Sequence, residues 1–182
     1  MLISLRLGDK CNRNCEYCDY QDIQYLKDID IQVLHKNKYI FDFINKYNIE
    51  YSITGGEPGL ISKKIFDSVF ELTLRNAIIP TNGLFIDNGM LDTYYSRIDK
   101  VLYHCCTEFN NDTIINKLNY DNIEYLILVH NKNLRYLDQF LKLNKNIIFT
   151  IKIVEQRGNK KDYLLTQSDL KQLYNICLLY TS

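Results

Sequence analysis

Strand-like and helix-like segments alternate along this chain from end to end, and no other feature restricts its fold so strongly. Short apolar runs read as strands at "LISLRL" (2–7), "EYSIT" (50–54), "AIIPT" (77–81), "KVLYHCC" (100–106), "EYLILVH" (124–130) and "NIIFTIKIV" (146–154). Stretches of helical period follow each of them, at 31–47, 62–76, 89–98, 111–119, 134–144 and 166–176. In the first, Leu34, Ile40, Phe43, Ile44 and Tyr47 are expected on one face. In the second, Ile65, Phe66, Val69, Phe70 and Leu74 share a face, with Ser62 as the cap. Parallel neighbours can be joined only through a crossover, so six such units in series predict an α/β fold around a parallel sheet. No Pro/Gly-rich linker divides the pattern, and residues 1–176 are expected to form one domain. In such folds ligands and reactive groups gather beyond the C-terminal ends of the strands.

Lys plus Arg and Asp plus Glu balance at 22 each, so no bulk charge draws the protein toward nucleic acid or an anionic membrane. The opening "MLISLRLGDK" has too short an apolar run for a signal peptide, and no segment approaches the roughly 20 apolar residues of a membrane span. A cytoplasmic location is the expectation. In that reducing compartment, clustered cysteines read as metal ligands or reactive thiols rather than disulfides.

Three of the six cysteines fall inside "CNRNCEYC" (11–18), just past the first strand, with C-x3-C-x2-C spacing. Thiolates are soft ligands suited to iron–sulfur clusters or zinc. A structural zinc site takes four protein ligands, usually as two separated pairs. Here a fourth would have to come from His35, His104 or Cys106 by way of the tertiary fold. Three thiolates on a four-iron cluster leave one iron open to a small molecule. The spacing by itself admits an iron–sulfur site, a zinc site or unliganded cysteines.

"TGGEP" (54–58) follows the second strand and "TNG" (81–83) the third. A Gly-Gly pair there makes a tight turn, or lets the backbone approach a ligand while Glu57 offers a carboxylate to a cation. Cys11, Cys15 and Cys18, the aromatic Tyr17 before the last of them, "TGGEP" and "TNG" together resemble the motifs of the radical S-adenosylmethionine (radical SAM) superfamily.

That resemblance implies an open (β/α)6 partial TIM barrel with its site at the strand ends. It implies a 4Fe–4S cluster held by Cys11, Cys15 and Cys18, with S-adenosyl-L-methionine on the open iron. Tyr17 would lie beside the adenine, Gly55, Gly56 and Glu57 at the methionine ammonium, and Thr81 and Asn82 near the cofactor. An electron donor such as flavodoxin or ferredoxin would reduce the cluster. Reductive cleavage would then yield a 5′-deoxyadenosyl radical that takes hydrogen from a substrate, of peptide or nucleoside type. The opposing reading is a non-catalytic iron–sulfur or zinc-binding module, for which "GGEP" has no use as a ligand-approach turn.

Where many relatives carry Ser or Asp for the ribose, this chain has "HCC". Strand alternation puts His104 and Cys106 on one face and Tyr103 and Cys105 on the other. Cys106 or His104 is a candidate hydrogen-atom or proton donor; small cysteines in a strand core are the plainer alternative. His130 at the end of strand 5 and Lys152 on strand 6 are candidates to meet substrate, with a solvated loop histidine and an edge lysine the simpler readings. Glu155 and Gln156 beyond strand 6 are candidates to line the mouth. His35 reads as a surface or packing residue. The last six residues, "CLLYTS" (177–182), are one reading frame of a transposase end used in sequencing libraries, TGTCTCTTATACACATCT. They are set aside as an adapter-derived tail, with the gene expected to be truncated there. On that expectation the final helix runs to about Ile176 with Leu170, Leu173 and Ile176 facing inward, and the last six residues are frayed or merely extend it, with no buried role for Cys177.

Overall fold

The computed structural model describes residues 1–13, 15, 17–18, 28–105, 120–144, 147–154 and 161–180. Its strands are β1 (Leu2–Gly8), β2 (Glu50–Gly55), β3 (Ala77–Thr81), β4 (Ile98–Cys105), β5 (Ile123–Val129) and β6 (Phe149–Ile153). They form one parallel sheet in chain order, open rather than closed, as the alternating pattern requires. The expected helix at 111–119 and the candidates Cys106, Glu155 and Gln156 lie outside the described residues. Two compact units divide the chain, Met1–Tyr103 and His104–Ser182. Among the described residues no helix is long and apolar enough to cross a membrane.

In the first unit β1 pairs with β2 from Leu2↔Glu50 to Gly8↔Gly55, and β3 with β4 up to Thr81↔Tyr103. The consecutive residues Tyr51, Ser52 and Ile53 of β2 are all buried, as expected for a strand covered on both faces. In β4, Val101, Tyr103 and Cys105 are buried while Leu102 and His104 are half-buried, which is the expected alternation. The helical stretch 31–47 is split into α1 (Ile31–Lys36) and α2 (Lys38–Lys46). At the break, Asn37 leaves helical geometry (φ −103°, ψ 26°) and its side chain donates to the Val33 carbonyl at 2.8 Å. The break resets the register: Leu34, Phe41 and Ile44 are buried, while Phe43 and Tyr47, expected inside, are exposed with ring centroids 4.8 Å apart.

Helix α3 (Lys63–Leu72) buries Ile65, Phe66, Val69 and Phe70, but Leu74 lies beyond its end and is 84% exposed. The reason is long-range: Asn45 of α2 donates to the Leu72 carbonyl (3.0 Å) and accepts from the Leu74 amide (2.8 Å), drawing the chain out of the helix. Ser62 occupies the cap position without a side-chain capping bond. Two short helices follow β3, α4 (Leu84–Asp87) and α5 (Met90–Tyr94). Phe66, Phe70, Phe85 and Tyr94 form an aromatic cluster with centroids 5.3–6.0 Å apart.

In the second unit β5 pairs with β6 from Tyr125↔Phe149 to Val129↔Ile153. Helix α6 (Leu134–Leu143) buries Leu134, Leu137, Phe140 and Leu141. Helix α7 (Gln167–Leu178) starts in a capping box formed by Thr166 and Asp169. It buries Leu173 and Ile176 but leaves Leu170 44% exposed, against expectation, and it continues two residues past Ile176. Beyond it, the Tyr180 hydroxyl donates to the Asp138 carboxylate at 2.9 Å.

Candidate functional site

The first three strands of the first unit end side by side, and the motif residues meet at that corner. The cysteine loop leaves at Gly8 and is closed at its base by an isolated antiparallel bridge, Gly8↔Asp28, with the Ile29 amide donating to the Leu7 carbonyl at 2.8 Å. Lys10 Nζ lies 3.7 Å from Asp28 Oδ1, and Arg6 Nε donates to Asp9 at 2.7 Å.

Gly55 and Gly56 are required by this loop. The Gly56 amide donates to the Gly8 carbonyl (2.9 Å) and the Glu57 amide to the Lys10 carbonyl (2.7 Å). A Cβ on Gly55 would stand 1.8 Å from the Gly8 oxygen, and one on Gly56 would stand 2.0 Å from the Lys10 oxygen. Gly55 also has φ +137°, where a side chain is strained. The structure shows a glycine turn in close approach to a neighbouring segment. What approaches is the backbone carrying the first cysteine.

Glu57 is only 2% exposed. Its Oε1 accepts from the Thr81 hydroxyl (2.6 Å) and the Gly59 amide (3.0 Å), and its Oε2 from the Asn82 amide (2.7 Å). A carboxylate has about four acceptor sites, so protein donors take most of them. The Thr81 oxygen in turn accepts from the amides of Gly83 (3.0 Å) and Phe85 (3.4 Å). Glu57, read from the sequence as a carboxylate offered to a cation, ties the ends of β2 and β3 together. The exposure of the turn is carried by Thr54, Gly55 and Gly56, all half-buried.

Asn82 touches three successive residues of the cysteine loop. Its side-chain amide donates to Asn12 Oδ1 at 2.8 Å and reaches Cys11 Sγ at 3.8 Å, and its carbonyl accepts from Arg13 Nη2 at 2.8 Å. The Arg13 amide also donates to Cys11 Sγ, at 3.4 Å. Further on, the Cys18 amide donates to the Cys15 carbonyl at 2.9 Å, and Tyr17, Cys15 and Cys18 are half-buried. Partial desolvation pushes the Cys11 thiol up; the Arg13 amide opposes this, and Glu57, Cys15 and Cys18 add to the rise. A bound cation would reverse that balance.

Among the described residues, no three His, Cys, Asp or Glu side chains converge on a point where one metal ion would sit. In a four-iron cluster each thiolate binds a different iron, so the fit of that group rests on the donor set: three thiols on one loop, with N–H donors already directed at the first. Asn12, Arg13 and Asp28 were not singled out in the sequence; they carry no signal beyond lying within or at the base of the cysteine loop.

The weaker candidates are dispersed. His104 is half-buried near the end of β4, Lys152 is exposed on β6, and His35 is exposed on α1. His130 is not the solvated loop residue expected but is 1% exposed. Its amide donates to Asn133 Oδ1 (2.9 Å), and its ring lies edge-on to Tyr163 with centroids 5.4 Å apart.

No family model matches the chain, and no curated protein matches it. Solved structures do. The chain is similar to native anSMEcpe with bound AdoMet, at 18% identity and a TM-score of 0.74 over 98% of this chain and 59% of that one. The same protein with bound AdoMet and Cp18Cys peptide gives 18% identity and 0.70, with the same coverage. With bound AdoMet and Kp18Cys peptide it gives 19% and 0.70, over 98% of this chain and 60% of that one. That protein is a radical SAM anaerobic sulfatase-maturating enzyme. The likeness establishes a shared fold, and this chain spans about three fifths of the length of the proteins it matches.

Proposed function

We propose that this chain, which has the fold of a radical SAM enzyme, is the core of one, with residues 1–176 forming that core. The observation that carries the reading is the corner where the thiol-bearing loop, the Gly55–Glu57 turn and the Thr81–Gly83 turn are tied together. In this reading Cys11, Cys15 and Cys18 hold a 4Fe–4S cluster beside bound S-adenosylmethionine. When bound, the pair would supply the chemistry of a reducible cluster and a reductively cleavable sulfonium, a source of a hydrogen-abstracting 5′-deoxyadenosyl radical.

The chain's own residues bind and orient. Gly55 and Gly56, which bear the exposure of their turn, face the methionine ammonium, and the buried Glu57 carboxylate next to them adds negative charge there. Tyr17, beside Cys18, offers a ring to the adenine. Thr81 and Asn82 serve the cofactor through the turn they build. His104 and Cys106 are the candidate hydrogen-atom or proton donors. A reductase partner such as flavodoxin or ferredoxin provides the electron. The peptides bound in two of the similar structures favour a peptide over a nucleoside substrate.

Anaerobic reconstitution with iron and sulfide, reduction, and chromatography for 5′-deoxyadenosine test this function. Product that depends on S-adenosylmethionine and is lost in Cys11→Ala is expected. Stoichiometric zinc without sulfide, and no product, would leave the non-catalytic binding module.

A further inference from the structure

Hydrogen bonds run without a gap from the buried Glu57 carboxylate to the sulfur of Cys11. Glu57 Oε2 accepts from the main-chain amide of Asn82 (2.7 Å), and Oε1 accepts from the hydroxyl of the preceding Thr81 (2.6 Å), so the carboxylate fixes where the β3 turn stands. From that turn the Asn82 side chain continues to Asn12 and to the Cys11 sulfur, while the main-chain carbonyl of Asn82 takes the Arg13 guanidinium. The same Glu57 holds the loop from the other side, through its own amide on the Lys10 carbonyl (2.7 Å). Lys10 to Arg13 are therefore gripped by two residues that are themselves tied to each other.

We infer that Glu57 and Asn82 are positioning residues for Cys11: the carboxylate sets the β3 turn, and Asn82 carries that placement to the first thiol of the loop. A carboxylate serving only to stabilise the fold would be satisfied by any residue but proline at position 82, because it uses that residue's main-chain amide. The main-chain carbonyl there would still take Arg13, but the Asn82 side-chain amide is what extends the linkage to Asn12 and the Cys11 sulfur. The geometry also gives Cys11 two N–H donors, from Arg13 and Asn82. Such donors draw electron density from a ligating sulfur and raise the reduction potential of what it binds. This last consequence rests on the proposed cluster; the brace itself belongs to the unloaded protein.

Asn82→Ala removes the side-chain links to Asn12 and Cys11 and leaves the main-chain bonds to Glu57 and Arg13, and Glu57→Gln replaces an acceptor oxygen with a donor. In the unloaded protein, amide exchange measured by mass spectrometry should rise roughly fivefold in the segment spanning Lys10–Arg13 for Asn82→Ala, with α3 unchanged. After reconstitution, iron should be lost to a chelator about ten to a hundred times faster, and the midpoint potential should move lower. Should Glu57→Gln fail to fold, Asn82→Ala alone decides the matter. Exchange in that segment equal to the wild type overturns the inference. Faster exchange with unchanged iron retention and potential overturns its bearing on the cluster. A wild type that takes up no iron or sulfide refutes the proposed function, while the exchange measurement still decides the brace.

Discussion

Gly56→Ala separates the two uses of the Gly-Gly turn. The new methyl carbon would stand 2.0 Å from the Lys10 carbonyl oxygen and 2.7 Å from that of Asp9. Ordinary contact begins at 3.4 Å, so the turn and the loop must part by about 1.4 Å (3.4 minus 2.0). The obstacle is backbone and cannot rotate aside. A parting of that size breaks the bonds from Gly56 to Gly8 and from Glu57 to Lys10. At about 0.5–1.5 kcal/mol net for each bond, the loss is about 1–3 kcal/mol. For a chain of this length the melting temperature should fall by roughly 2–12 °C. Gly89→Ala is the control: Gly89 has φ +73° with nothing within 4 Å of an added Cβ, so only its left-handed backbone is penalised, by about 1–2 kcal/mol. Thermal denaturation of the unloaded proteins reads stability, and amide exchange at Lys10–Arg13 reads the loop. Gly56→Ala should loosen that loop and Gly89→Ala should not. The reasoning is refuted if Gly56→Ala melts with the wild type, or if both variants disturb the loop equally.

Other outcomes follow from the same geometry. Thr81→Val strands two amides and one carboxylate bond at a buried position and should cost about 1–3 kcal/mol in urea unfolding; Thr81→Ser, which keeps the hydroxyl, should cost about 1 kcal/mol for the lost methyl. Burial pushes the phenols of Tyr94 and Tyr51 up, so the neutral form is favoured in the folded protein. The unfolded chain then binds fewer protons once pH passes about 10, and stability, whole below that pH, should fall above it. Tyr94→Phe should flatten that alkaline decline in pH-dependent denaturation. Asn45→Ala should free the Thr73–Leu74 segment, visible as faster exchange at the Leu74 amide.

The alternating strands and helices were legible because β-branched runs and helical spacing are local signals, and all six strands stand where such runs predict them. What escaped the sequence depended on distant partners. Nothing within 31–47 announces that Asn37 breaks the helix, and the resulting shift exposes Phe43 and Tyr47. Leu74 fits the α3 period but is drawn away by Asn45, nearly thirty residues earlier. At the site, the cysteine spacing and the two turns could be read as motifs. The buried state of Glu57 could not, because its donors come from the end of another strand. Asn82's hold on Asn12, seventy positions away, leaves no trace in either local stretch.

The proposed function stands on Cys11, Cys15 and Cys18 holding a four-iron cluster with one iron open to S-adenosylmethionine. Mössbauer spectroscopy of protein reconstituted anaerobically with isotopically enriched iron tests it most directly. About four irons and as many sulfides per chain are expected, with one iron whose signal shifts when S-adenosylmethionine is added. A spectrum indifferent to S-adenosylmethionine, or a protein that retains zinc and no sulfide, would contradict it.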